Sequence, residues 1–209
     1  MSFISLSSGS STGEEPHQIP SEGSCNPPTP AAVPLLVAAS ADEWRFMKLG
    51  YAKLFSVKCL MYPHGINSDT VNAVPALRRF VCWSCVPFKG CGVSQRRSGG
   101  PRASADMFYW QVSVSKDLTF QAQKLSLCVK VEASYRQFAL DSSHLCHNRL
   151  CWNPDHLHAE SHLVNMSRNT CPSNVFVRDV KKVFCFCTHV PPCLRLRIVN
   201  SLSLCEVIA

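Results

Sequence analysis

The chain has 209 residues, room for one ordinary domain with a buried core plus a tail, and its 46% hydrophobic content fits a globular protein. Its 21 Lys and Arg against 14 Asp and Glu give a formal net charge of +7, unevenly spread: residues 1–44 hold five of the acids and no Lys or Arg. From Arg45 onward all 21 Lys and Arg face the other nine acids, a surplus that attracts a polyanion such as nucleic acid.

Residues 1–18 are Ser/Gly-rich without a Lys or Arg, unlike the basic start and apolar run of a secretory signal, so secretion is not expected. The apolar stretch 31–39 is too short to span a bilayer and is interrupted by Pro34. The chain therefore reads as soluble and intracellular, with no membrane partner, and its 13 cysteines as metal-site thiols and not a disulfide framework. Residues 1–40 are expected to form a disordered tail, because their Ser, Pro and Gly content leaves too few large apolar groups to repay the entropy of ordering.

Ser40, Ala41, Asp42 and Glu43 have the capping-box form, and Trp44, Met47, Tyr51 and Leu54 or Phe55 follow at helical spacing. This predicts a helix over 41–56, within a helical extension 41–80 whose role the sequence does not reveal. A domain over 81–209 follows. In it, RRSGGPR at 96–102 reads as a basic loop, and Trp110, Val112 and Val114 alternate with Gln111, Ser113 and Ser115 as in a half-buried strand whose polar face meets solvent.

From Ser143 the texture turns to Cys, His, Asn and Pro, too polar to build a core, and a metal ion is the economical way to hold it. Cys146, Cys151 and His156 are spaced by four residues each time around the Asn153-Pro154 turn and need a fourth ligand from elsewhere. Cys187, His189 and Cys193 form a second group that Cys171 could complete. Thiolate and imidazole are the donors tetrahedral Zn²⁺ prefers. Residues 159–169 have helix-compatible spacing, and Leu194, Leu196 and Ile198 alternate with Arg195 and Arg197 as in an edge strand laid against a partner or the chain's own domain.

The string Ser143-His-Leu-Cys-His-Asn148, then Cys151-x-Asn-Pro-x-His-Leu157, Glu160-Ser161, Asn165, Arg168-Asn169 and Cys171-Pro172 closely resembles the His-Cys box homing endonucleases, with the strongest likeness over 143–193. The resemblance implies an α+β fold: a small, loop-rich ββα-metal (His-Me finger) domain braced by two structural Zn²⁺. It also implies a catalytic Mg²⁺ or other divalent cation, hydrolysis of phosphodiester bonds in double-stranded DNA, action as a homodimer, and a nuclear location.

Residue by residue, the resemblance places the first zinc on Cys82, Cys146, Cys151 and His156, with Cys85 as the rival of Cys82. The second falls on Cys171, Cys187, His189 and Cys193, with Cys185 as the rival of Cys187 and about six more residues than the family has between its first two ligands. His144 takes the position of the general base, for which a neutral imidazole is suited. Asn165 takes that of the cation ligand, offering a carbonyl oxygen. Arg168, one turn on, shares the face of Asn165 and reads as a phosphate contact or a plain surface residue. The family's phosphate-stabilising arginine falls on Arg102 when counted from Cys82, but on Tyr109 when aligned on Trp110-Gln111. Two other readings stand beside the endonuclease: a decayed zinc-containing DNA-binding module, and a zinc-dependent interaction domain.

Overall fold

The computed structural model describes residues 36–97, 108–172 and 174–201. The expected tail up to residue 35, the basic loop from Ser98 and Arg102 lie outside the described residues. Helix α1 (Ala41–Ser56) starts where the capping box puts it: the Ser40 hydroxyl accepts the Glu43 N–H at 3.3 Å, Asp42 and Glu43 sit in the first turn and Lys53 in the last. Its buried face, Met47, Gly50 and Leu54, packs on α3 (Ala122–Lys130) and on a three-stranded antiparallel sheet. That sheet is β3 (Val93–Arg97), β4 (Phe108–Ser113) and β5 (Thr119–Gln121), in that order. In β4, Trp110 and Val112 turn into the core while Tyr109, Gln111 and Ser113 are half-buried. The chain therefore has a core of aliphatic and aromatic residues that its cysteine-rich texture does not announce.

Between α1 and β3, strand β1 (Lys58–Met61) pairs antiparallel with β2 (Cys82–Cys85), and α2 (Ser68–Ala73) leads into a 3-10 helix, Pro75–Phe80. The second half begins with β6 (Asp141–His144) and β7 (Leu157–Glu160), an antiparallel pair, followed by α4 (His162–Ser167). Here the helix read over 159–169 is corrected. Ala159 and Glu160 pair with Ser142 and Asp141 as strand, and Ser161 is the N-cap, its hydroxyl accepting the Val164 N–H at 3.4 Å. After Ser167 the chain tightens into a 3-10 turn, Arg168–Thr170. Strand, strand and helix in this order form the expected ββα unit.

Strand β8 (Asn174–Val177) lies between β9 (Lys182–Phe184), antiparallel, and β10 (Leu196–Val199), parallel. The alternating segment after Cys193 is thus paired with the chain's own domain, and Leu194, Leu196 and Ile198 pack on a second cluster around Val71, Leu77, Phe80, Val81 and Phe176. No helix among the described residues is long and apolar enough to cross a membrane.

Candidate metal centres and the adjoining cleft

Cys82 at the start of β2, Cys146 and Cys151 in the β6–β7 loop and His156 at the end of the 3-10 turn Pro154–His156 bring one donor atom each to within 4.8 Å of the others. The His156 Nδ1 lies 3.6 Å from the Sγ of both Cys82 and Cys151. A tetrahedral ion with bonds of about 2.0–2.3 Å requires donors about 3.5 Å apart, so the four atoms match the edges of such a site. Strand geometry decides between the two candidate cysteines of β2: successive side chains point to opposite faces, so Cys82 faces the loop while Cys85 enters the large apolar core, where burial pushes its thiol up to about 12.

The loop is shaped by polar contacts. Asn153 accepts the Asp155 N–H at 3.1 Å and donates to the Val81 carbonyl at 3.4 Å. The His156 Nε2 lies 2.8 Å from the Arg79 carbonyl; a carbonyl only accepts, so Nε2 carries the proton and Nδ1 presents a lone pair to the thiols. Crowding sets the thiols against one another. Hydrogen bonds from Cys146 and then Cys151 hold Cys82 far below the ordinary thiol range, while Cys146 is driven far above it. Cys151, lowered by a hydrogen bond with Cys146 but raised by one with Cys82 and by burial, ends at about 12. A divalent cation would allow all three thiols to ionise together.

The second group is Cys171 after α4 with Cys187, His189 and Cys193 from the β9–β10 loop, again within 4.8 Å. The His189 Nδ1 lies 3.4 Å from Cys187 Sγ and 3.9 Å from Cys193 Sγ. Its tautomer is also fixed: the Ser167 hydroxyl donates to the Val164 carbonyl at 2.7 Å, so at 3.1 Å it accepts from the His189 Nε2. Burial pushes Cys187 up, but the backbone N–H groups of Cys193 and His189, at 3.1 and 3.3 Å, and the Cys171 thiol outweigh it and bring Cys187 down to about 6. Cys185 is exposed and outside the group. The extra length between Cys171 and Cys187 is taken up by β8 and β9, which turn back on each other before the chain reaches Cys187. Both groups could hold a metal ion, and the described cysteines form no disulfide.

Beside these groups His144, His147, Arg149, Asn165, Met166, Arg168 and Asn169 line a cavity of about 310 Å³. His144, at the end of β6, is half-buried with its Nε2 3.1 Å from the Cys151 carbonyl, so Nε2 donates and Nδ1 is the free nitrogen. Burial pushes its imidazole down to about 4 against the pull of that carbonyl and of Cys82, which keeps it neutral at pH 7. Asn165, on α4, donates from Nδ2 to Asp141 Oδ2 at 2.9 Å.

Arg168 is not a surface residue. It is 2% exposed and grips Glu160 with two 2.8 Å hydrogen bonds, adding the Pro191 carbonyl at 2.9 Å and Cys193 Sγ at 3.4 Å. Burial opposes its charge, but Glu160 and Cys193 more than offset this and hold it above the ordinary guanidinium range. The cavity's other guanidinium, Arg149, is exposed and has no hydrogen bond or ion pair among the described residues. Tyr109 is elsewhere: on β4 opposite Arg96, its hydroxyl accepts from Gln111 Nε2 at 3.2 Å.

The sequence reasoning passed over three members of this region. Arg149 sits between two ligands, and that placement was its available signal. His147, between Cys146 and Asn148, holds a left-handed backbone at φ 56° and a buried Nε2 without a partner among the described residues. Asp141 had no signal at all, since its link to Asn165 spans 24 residues.

A family model described as the zinc-binding loop region of homing endonuclease matches residues 85–202, more than half of the chain. The match takes in every gathered donor except Cys82, three residues before it begins. No curated protein and no solved structure matches the chain.

Proposed function

The chain belongs to the family of zinc-binding loop regions of homing endonucleases, and from that premise we propose that it is a zinc-braced, Mg²⁺-dependent endonuclease hydrolysing phosphodiester bonds in double-stranded DNA. The observation that carries this reading is the cleft, where a neutral imidazole with a free Nδ1, a carboxamide and an unpaired guanidinium share one cavity.

The two Cys₃His sets fit structural Zn²⁺ in donor type, spacing and fixed histidine tautomers. Asn165 fits a hard cation that keeps most of its waters and takes few protein ligands. When bound there, Mg²⁺ supplies Lewis-acid stabilisation of charge on the phosphate.

The chain's own residues do the rest. His144 Nδ1 receives a proton from the attacking water, and the Nε2–H bond to the Cys151 carbonyl holds the ring and its tautomer while it does so. Because Cys151 belongs to the first Cys₃His set, the brace and the base are one structure. Arg149 binds a phosphate oxygen, the task that the resemblance gives to Arg102. The basic surplus after Arg45 attracts the duplex. Pairing of two copies and work on nuclear DNA complete the proposal.

The test is nicking of supercoiled plasmid by zinc-loaded protein with Mg²⁺. His144→Ala is expected to slow nicking by roughly 10²–10⁴-fold while zinc content and salt-sensitive DNA binding persist. A His144→Ala protein that cuts like the wild type, or loses a zinc ion, overturns the assignment. Wild-type protein that binds DNA without cutting is a binding module, and one that does neither is a zinc-dependent interaction domain.

A further inference from the structure

Asp141 opens β6, in register with Glu160 on β7, and meets α4 from the side. Two donors of α4, three residues apart and so on one helical face, converge on a single oxygen of its carboxylate. His162 Nδ1 and Asn165 Nδ2 each lie 2.9 Å from Asp141 Oδ2. An ionised carboxylate only accepts. The nitrogen prong of the Asn165 carboxamide is therefore spoken for, and its oxygen prong is the one left to meet a cation. Asn165 is half-buried in a helix whose neighbouring side chains, Leu163, Val164 and Met166, are exposed; the Asp141 bond ties the residue inward.

We propose that Asp141 is a positioning residue, orienting the Asn165 carboxamide so that its oxygen faces a divalent cation in the cleft shared with His144. This rests on Asn165 being the cation ligand of the nuclease reading. The physical need is clear. A free carboxamide can present oxygen or nitrogen, and ordering it costs side-chain entropy each time a cation binds. A carboxylate on the N–H side removes that cost and polarises the carbonyl toward the metal. Asp141 itself is occupied by two donors, and Asp141 with His162 does not make up a metal-holding group of the kind formed by the eight Cys and His ligands.

The experiment compares wild-type, Asp141→Ala and Asp141→Asn proteins, each zinc-loaded, by NMR of the Asn165 side-chain NH₂ and by Mn²⁺ titration read from paramagnetic broadening of the α4 amides. The wild type is expected to show a shifted, exchange-protected NH₂. Asp141→Ala should lose that signature and weaken Mn²⁺ binding by roughly 10–100-fold, as loss of an outer partner of a metal ligand does. Asp141→Asn, which keeps an acceptor oxygen, should recover most of both.

Unchanged Mn²⁺ affinity in Asp141→Ala overturns the inference. Asp141→Asn as weak as Asp141→Ala also overturns it, because the carboxylate would then be a ligand in its own right. If Asp141→Ala does not fold, the wild-type NH₂ signal and Asp141→Asn still decide, and a solvent-like NH₂ in the wild type is fatal. Plasmid nicking on the same samples separates the two ideas. A wild type that does not cut but shows the Asp141-dependent Mn²⁺ site sinks the nuclease reading alone, and one that cuts equally well without Asp141 sinks only this inference. A wild type that takes no Mn²⁺ sinks both.

Discussion

Around α1, α3 and the β3–β4–β5 sheet the buried side chains are Met47, Leu54, Val112, Phe120 and Leu125, whereas from β6 to β10 they include Cys151, His156, Glu160, Arg168, Asn174 and Cys193. The first region is held by removal of apolar surface from water, which needs no partner beyond the chain. The second buries thiols, imidazoles and an ion pair, groups that cost free energy unless each is matched. Consequently the first region should stand without metal and the second should not. Trp152 joins them: it follows the ligand Cys151, is fully buried, and stacks edge-on against Tyr51, Phe55 and Trp83.

Chelation should break this comparison most visibly. Structural zinc contributes about 10–16 kcal/mol of apparent free energy in small zinc-held units, so stripping both ions should remove hydrogen-exchange protection from β6 to β10 while α1, α3 and β4 keep most of theirs. Cys151→Ser should lose one of about two bound ions and unravel the β6–β7 loop alone. Elemental analysis and exchange mass spectrometry read both outcomes. Equal loss of protection in α1 and α3 would show that the two regions are one cooperative unit.

The ion pair gives a smaller effect of the same kind. Glu160→Ala leaves the Arg168 guanidinium buried without its carboxylate, which costs about 3–5 kcal/mol. The denaturation midpoint should fall accordingly, and the bond from Arg168 to Cys193 Sγ makes the second metal group the first place to loosen. Replacing both partners, Glu160→Leu with Arg168→Met, should recover much of the loss because no charge is then stranded. A Glu160→Ala protein of unchanged stability would mean that water reaches Arg168 and that the region is less tightly closed than its 2% exposure indicates.

How far each region was legible follows from the same physics. Capping and helical spacing are local, so α1 was readable from Ser40 to Leu54. The groups in the β6–β7 loop are close in sequence, and the resemblance supplied Cys82 as their partner; what spacing could not dismiss was the rival Cys85, which the alternation of β2 turns into the apolar core. Arg168 reads from helical geometry as a phosphate contact or a surface residue near Asn165; its burial depends on Glu160, eight residues earlier on a strand that the sequence read as helix. Helix α3 was not anticipated, because it has nine residues, no side-chain cap at Gln121 and a polar Ser126 among its buried positions, so the local start signal that marks α1 is missing. Arg102, which the resemblance ties to the phosphate when counted from Cys82, falls outside the described residues.

The smallest effect tests the apolar region by itself. Gly50 lies mid-way along α1, where alanine would gain about 1 kcal/mol in helix propensity. A Cβ there would meet Leu125 Cδ2 at 3.0 Å, Val114 Cγ2 at 3.2 Å and Phe120 Cδ2 at 3.3 Å. All three are side-chain atoms, so the sign depends on whether they can yield. Leu125 is fully buried, and Phe120 is held by an edge-on contact with Tyr135 at 4.9 Å, which leaves Val114 alone room to move. Overpacking of a closed core costs about 1–3 kcal/mol, enough to outweigh the propensity gain, and Gly50→Ala should therefore lower stability by about 1 kcal/mol in a urea titration. Zinc content should stay at about two per chain, since none of the three contacts belongs to a metal group. A more stable Gly50→Ala protein would mean that the core beneath α1 has slack, and the contrast between a tightly packed apolar region and a metal-held polar one would lose its first half.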